Sequence, residues 1–248
     1  MAAPSVKSTL RLDGTVPRRS AAVPAARDED DFAAAETLAD GFRAWLSQLP
    51  VFAGCALLVH VPLLAFAFLP QLPEPIAVAA FALVAIAAAG VVQGALARGV
   101  LNGERSLRSD LVEVLAAAAG NGVRAIAVHV AVLAGTLPRL FLLAPGVRYA
   151  CDTFVAVPAL VTEGASMRRA MVRSGRLAHG ARSRILPICA VPWTTAALVA
   201  ASSGIFGGAS FDSLPWLIAF IFARALDTSL AATLAATTYS RLRDRPGA

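Results

Sequence analysis

The chain has 248 residues, 57% of them hydrophobic and only 15% charged, with a mean hydropathy of +0.67. A soluble domain is about one quarter charged, so this chain lacks the charge to cover a water-facing surface and reads as an integral membrane protein. The formal net charge of +6 and the pI near 10.2 do not indicate nucleic acid: Lys7 is the only lysine, most arginines beyond the N-terminal region sit at the edges of apolar blocks, and no groove-reading motif occurs.

Residues 1–31 combine Ala, Pro, Arg and Ser and close on "RDEDD" without periodicity, which predicts a disordered cytoplasmic tail. No apolar core follows its early basic residues, so it is not a secretory signal. In residues 32–49, Phe32, Leu38, Phe42, Trp45, Leu46 and Leu49 fall on one helical face, with Glu36, Asp40, Ser47 and Gln48 off it. This pattern predicts an amphipathic helix lying in the membrane interface, with Trp45 at headgroup depth.

Six apolar blocks follow, at residues 51–69, 76–97, 123–144, 147–162, 185–206 and 215–239. A helix crosses the hydrocarbon core with about 20 apolar residues, and five blocks meet or nearly meet that length. The fourth is short and carries Asp152 and Pro158, which leaves a re-entrant segment as its alternative. The expected fold is all-α: a polytopic membrane helix bundle over residues 32–243, with about six transmembrane helices plus interfacial amphipathic helices, and a tail at 244–248.

Arginine placement bears on the count. With six spans and the N-terminus inside, the outer connections "PQLPEP", "APG" and "GGASFDSLP" hold no Lys or Arg, although Arg139 and Arg148 flank the second. The inner segments hold Arg98, Arg105 and Arg108, then Arg168, Arg169, Arg173, Arg176, Arg182 and Arg184, then Arg241, Arg243 and Arg245. The asymmetry is that of a multi-pass inner-membrane protein with both termini cytoplasmic. If the fourth block were re-entrant, the second arginine group would face outward. Each pair of spans is also preceded by a segment of interfacial character, at 32–49, 104–119 and 166–182, in the manner of a loose internal repeat.

The third of these segments is the most basic. Met167, Ala170, Met171, Ser174, Leu177, Ala178 and Ala181 share one helical face, and Arg168, Arg169, Arg173 and Arg176 occupy the other, with His179 at the border. Such a helix binds anionic lipid headgroups or a partner protein, or else fixes topology while its apolar face packs on the bundle.

The stretch "LLAPGVRYACDTFVAVPALVTEGASMRRAMVRSGRLAHG" resembles a pattern in a broad group of bacterial multi-helix membrane proteins related to the membrane domain of glycerophosphoryl diester phosphodiesterases. The features that carry it are the turn Pro145-Gly146, an apolar segment ending in Pro158, the break Glu163-Gly164, and Arg173-Ser174 with Leu177 and Gly180. The terminal "TTYSRLRD" is similar to that group's last helix through Tyr239, Leu242 and Arg243. The resemblance implies an all-helical membrane fold and carries over no catalytic residue. Spans and tail use up the 248 residues, so the soluble phosphodiesterase domain of some relatives is not expected, nor its activity.

Ionisable residues within spans are the remaining candidates for function, since each is costly in the bilayer core. Arg224 and Asp227 lie i,i+3 on the last span, and Arg148 and Asp152 lie i,i+4 on the fourth. Same-face spacing lets each pair neutralise locally, as a structural ion pair or as the lining of a polar cavity. Arg139, after Pro138, snorkels outward. His60 and His129 are lone imidazoles without a carboxylate one turn away, which suits hydrogen bonding across the bundle better than proton relay. Cys55, Cys151 and Cys189 are scattered in apolar blocks without ligand spacing, as reduced packing residues. No metalloprotease, nucleophile-elbow or phosphate-loop motif occurs, and the Ser and Thr of "WTTAALVAASSG" have no accompanying base. The expected protein is therefore non-catalytic, with no cofactor and no metal, associated with the envelope, with lipid or with a membrane complex. A small transporter or channel subunit using Arg224 and Asp227 is the alternative.

Overall fold

The computed structural model describes residues 33–68, 73–103, 111–202 and 214–245. The tail at 1–31, residues 69–72 within and before "PQLPEP", the segment 104–110 with Arg105 and Arg108, residues 203–213 with most of "GGASFDSLP", and residues 246–248 lie outside the described residues. All regular structure among the described residues is helical: α1 Ala34–Ser47, α2 Leu49–His60, a 3-10 turn Val61–Ala67, α3 Glu74–Gly103, α4 Leu111–Leu140, α5 Ala144–Thr153, α6 Ala156–Glu163, α7 Met167–Ala178, α8 Arg182–Ser202 and α9 Leu214–Arg243.

Helix α9 is the axis. Buried side chains run its whole length, from Leu217 to Leu242. Along it runs the antiparallel rod formed by α1, α2 and the 3-10 turn. Gly41 packs on Leu234, and Trp45 Nε1 donates to Ser229 Oγ at 2.9 Å. At the far end, Phe66 meets Phe81 edge-on at 5.4 Å, and Phe81 meets Phe220 at 5.3 Å. The apolar face expected at residues 32–49 is the one that packs on the bundle. Leu38, Phe42 and Trp45 pack against the core, and Trp45 gives its indole N–H to a buried serine rather than to a headgroup. A long polar handle finds its partner wherever the bundle supplies one. Leu46, expected on the same face, is exposed.

Helices α3 and α4 form the closest pair. The reason is the run Gly90-Val-Val-Gln-Gly94, a small-xxx-small spacing that lets backbones approach. A Cβ on Gly90 would lie 2.9 Å from Ile126 Cα, and one on Gly94 would lie 2.7 Å from Ala125 Cβ.

Among the described residues, five helical stretches are long and apolar enough to cross a membrane: Leu49–Phe66, Glu74–Leu101, Gly120–Leu140, Arg182–Ala201 and Leu214–Arg243. The expected span at 147–162 is not one helix. It is α5 and α6, broken at Phe154-Val155. Pro158 is the physical cause: it has no N–H for the Phe154 carbonyl and its ring crowds that carbonyl, so the ladder fails one turn before it. Thr153 Oγ1 bonds back to the Tyr149 carbonyl at 2.8 Å, and the Phe154 N–H reaches only the Cys151 carbonyl, at 3.4 Å. The broken rod still travels beside α4. Gly146 packs on the Leu140 backbone, and Val161 reaches Gly94, where Ala125 also sits. From 140 to 125 along α4 is a rise of about 22 Å.

Candidate functional site

The Arg224–Asp227 pair lies at the middle of α9 and is joined as its spacing requires. Arg224 Nη1 donates to Asp227 Oδ2 at 2.6 Å, with the side chains 18% and 6% exposed. The other carboxylate oxygen, Oδ1, accepts from Thr195 Oγ1 of α8 at 2.5 Å. Asp227 is therefore tied within its helix and across to a neighbour.

Beside the pair lies a cavity of about 370 Å³. Its walls come from α3, α4, α5, α6, α8 and α9, including Gln93, His129, Thr153, Val157, Pro192, Trp193, Arg224, Asp227 and Thr228. His129 Nδ1 and Gln93 Oε1 are 3.1 Å apart, bonding α4 to α3 across the bundle as expected of that imidazole. A glutamine carbonyl oxygen only accepts, so with this amide orientation Nδ1 carries the proton and Nε2 is the ring's acceptor. His60 differs from expectation: its Nδ1 lies 2.7 Å from the carbonyl of Ala56 on its own helix, and Nε2 is buried with no partner among the described residues. Sequence alone does not mark Gln93 or Thr195 as site residues. The available signal for Gln93 was its position between the two glycines that bring α3 against α4.

The basic helix α7 forms the second candidate surface. Ala170, Ser174, Leu177 and Ala178 are buried, whereas Arg168, Arg169 and Arg176 are exposed. Ser174 Oγ donates to the Asp152 carbonyl at 2.7 Å, which fixes the apolar face on the bundle. Arg173 is withdrawn from the arginine face, because its Nε donates to Glu163 Oε1 at 3.1 Å. Glu163 also accepts from Tyr239 Oη at 2.9 Å. Gly164 follows in the left-handed region at φ 61, and Gly180 closes α7 at φ 77, conformations for which glycine is suited. Glu163, Arg173 and Tyr239 thus meet in one place, where α6 ends, α7 begins and α9 passes.

The second expected pair has a different partner. Arg148 Nε stays 3.9 Å from Asp152 Oδ2 with its side chain 67% exposed. Arg182, from the start of α8, grips both oxygens, Nε to Oδ1 at 2.6 Å and Nη2 to Oδ2 at 3.2 Å. A two-pronged guanidinium contact outcompetes a single stretched one. Arg139 is exposed as expected, but it turns back to donate to the Gly135 carbonyl at 2.6 Å and stacks over Tyr149 at 4.6 Å. Cys55, Cys151 and Cys189 are free and buried. Among the described residues no group of three or more His, Cys, Asp or Glu is placed to hold a metal ion.

No family model, curated protein or solved structure matches the chain.

Proposed function

We propose that this protein is a non-catalytic, multi-pass component of a bacterial inner membrane, associated with anionic lipid or with a membrane complex through α7. The observation that carries this reading is the division of α7. Its apolar face is held by the bundle, while Arg168, Arg169 and Arg176 project on the opposite side without an ion pair among the described residues. Each such charge near an anionic leaflet contributes about 1 kcal/mol. The contact rests chiefly on side-chain charge, because Ala170, Ser174 and Leu177 are already occupied, while Met167 and Val172 stay exposed beside the arginines.

Cytoplasmic placement of both termini needs an even number of crossings. The broken α5–α6 rod supplies the sixth, and its descent beside α4 supports that assignment. The resemblance to the membrane domain of glycerophosphoryl diester phosphodiesterases is part of the proposal and rests on the sequence features alone. The transporter or channel alternative is weakened by the way Asp227 is satisfied on both oxygens.

The test is lipid selectivity in bilayers of mixed phosphatidylcholine and phosphatidylglycerol, read by spin-labelled lipid. The wild-type chain should prefer phosphatidylglycerol, and replacing Arg168, Arg169, Arg173 and Arg176 together by Gln should remove the preference. An unchanged preference in the folded variant would refute the α7 assignment.

A further inference from the structure

The geometry points to the cavity beside Arg224 and Asp227 as a binding site for an uncharged single-chain amphiphile, whose head carries carbonyl and hydroxyl groups. The volume, about 370 Å³, falls toward the lower end of ligand pockets, about 300–1,000 Å³. It suits an acyl chain of about ten carbons with a small head. The walls are largely apolar, with Val157, Pro192 and Trp193 among them, and the polar groups are few and convergent.

Three features choose the head. Arg224 bonds Asp227 through one nitrogen, which leaves other guanidinium N–H groups as donors for a carbonyl. His129, its Nδ1 engaged by Gln93, offers Nε2 as acceptor for a hydroxyl. The site's two charges already cancel each other, so an anionic or cationic head would bring an uncompensated charge into a low-dielectric cavity. The route of entry is lateral. Ala197 lines the cavity and is exposed, and Leu198 beside it is 70% exposed on a membrane-spanning helix. A ligand dissolved in the bilayer therefore reaches the cavity without crossing water.

The test uses the full chain in phosphatidylcholine nanodiscs and 1-decanoyl glycerol bearing a diazirine on its acyl chain, with labelled residues mapped by peptide mass spectrometry. Labelling should concentrate on cavity residues of α8 and α9, such as Ala196 and Ala231, and should saturate. Unlabelled decanoyl glycerol should compete at about tenfold lower concentration than decanoate at alkaline pH, or than decane, a gap set by the charge and by the hydrogen bonds of the head. Ala196→Phe, which narrows the cavity, should cut labelling at least several-fold. Arg224→Gln combined with Asp227→Asn should reduce the preference over decane several-fold, because the guanidinium donors are lost while His129 remains. Labelling spread evenly over lipid-facing positions, or resistant to competition, would overturn the site. Decanoate competing as well as the glycerol ester would overturn the choice of head. If Ala196→Phe does not fold, the competition series on the wild-type chain decides alone.

Discussion

Removing Asp227 alone should damage this protein more than removing Asp227 and Arg224 together. In Asp227→Ala the guanidinium of Arg224 stays in place, 18% exposed and without its partner at 2.6 Å. Breaking a buried pair on one side typically costs about 3–5 kcal/mol, most of it the penalty of the stranded charge. The interhelical bond from Thr195 is lost as well, although its hydroxyl keeps the Val191 and Pro192 carbonyls at 3.1 Å, and an interhelical hydrogen bond in a membrane bundle is worth about 0.6–1.7 kcal/mol. The first figure was set in water-soluble proteins, and a membrane-embedded unfolded state offers other partners, so about 3 kcal/mol is expected in total. Arg224→Gln with Asp227→Asn keeps two groups that can bond each other and leaves no charge, for a cost near 1 kcal/mol. Titration of the purified protein with sodium dodecyl sulfate in mixed micelles, followed by circular dichroism, measures both. If the double variant is as destabilised as Asp227→Ala, or worse, the pair is not a self-contained structural unit and the reasoning fails.

Other outcomes follow from single contacts. Gly90→Ala pushes a methyl to within 2.9 Å of Ile126 Cα and should destabilise by about 1–3 kcal/mol in the same titration, because the obstacle is backbone. Tyr239→Phe removes one of two hydrogen bonds to Glu163, a loss of about 0.5–1.5 kcal/mol, and Glu163→Ala, which removes both, should cost more. Arg182→Met should cost more than Arg148→Met, about 1–2 kcal/mol against less than about 0.5, since Arg182 grips both oxygens of Asp152 and Arg148 is largely exposed. Leu143, at φ 49 and 72% exposed, should be replaced by Gly with no loss or a gain of up to about 1 kcal/mol, measured as a shift in unfolding midpoint.

Helix class, apolar spans and the i,i+3 ion pair on α9 are local properties, set by composition and by spacing along one helix, and they are legible without coordinates. Partner choice is not local. Asp152 has an arginine one turn away, yet it bonds Arg182, thirty residues on, because α8 happens to begin beside it. The amphipathic pattern at 32–49 states that one face is apolar, and both lipid and a neighbouring helix satisfy it; that Leu38, Phe42 and Trp45 meet the bundle is not local information. The same ambiguity holds for α7, whose apolar face turns out to be packed on the bundle. His60 and His129 look alike as lone imidazoles on apolar helices. Only the crossing at Gly90 and Gly94, which brings Gln93 to His129, separates them.

The interruptions that made the fourth block the weakest of the six also account for where the cavity lies. Lipid-exposed irregular backbone is not tolerated in the hydrocarbon core, and breaks survive only where protein covers them or where they line a cavity. The α5–α6 break places Thr153, Phe154 and Val157 on the cavity wall, and Pro192 of α8 lines the same space. Pro158 forces a break in the rod, and the neighbouring helices do not fill the volume beside it. Of the polar groups beside it, Thr153 and Thr195 bond carbonyls one turn back, and Thr195 also bonds Asp227 across to α9. An unbroken helix at 147–162 would carry the Val155–Pro158 turn straight on past α8. Substituting Pro158 by Ala, and so restoring the missing donor, is therefore expected to straighten the rod and shrink the cavity, visible as weaker diazirine labelling at Ala196 and Ala231 in a protein whose stability is unchanged or raised. Undiminished labelling in a straightened rod would separate the cavity from the break.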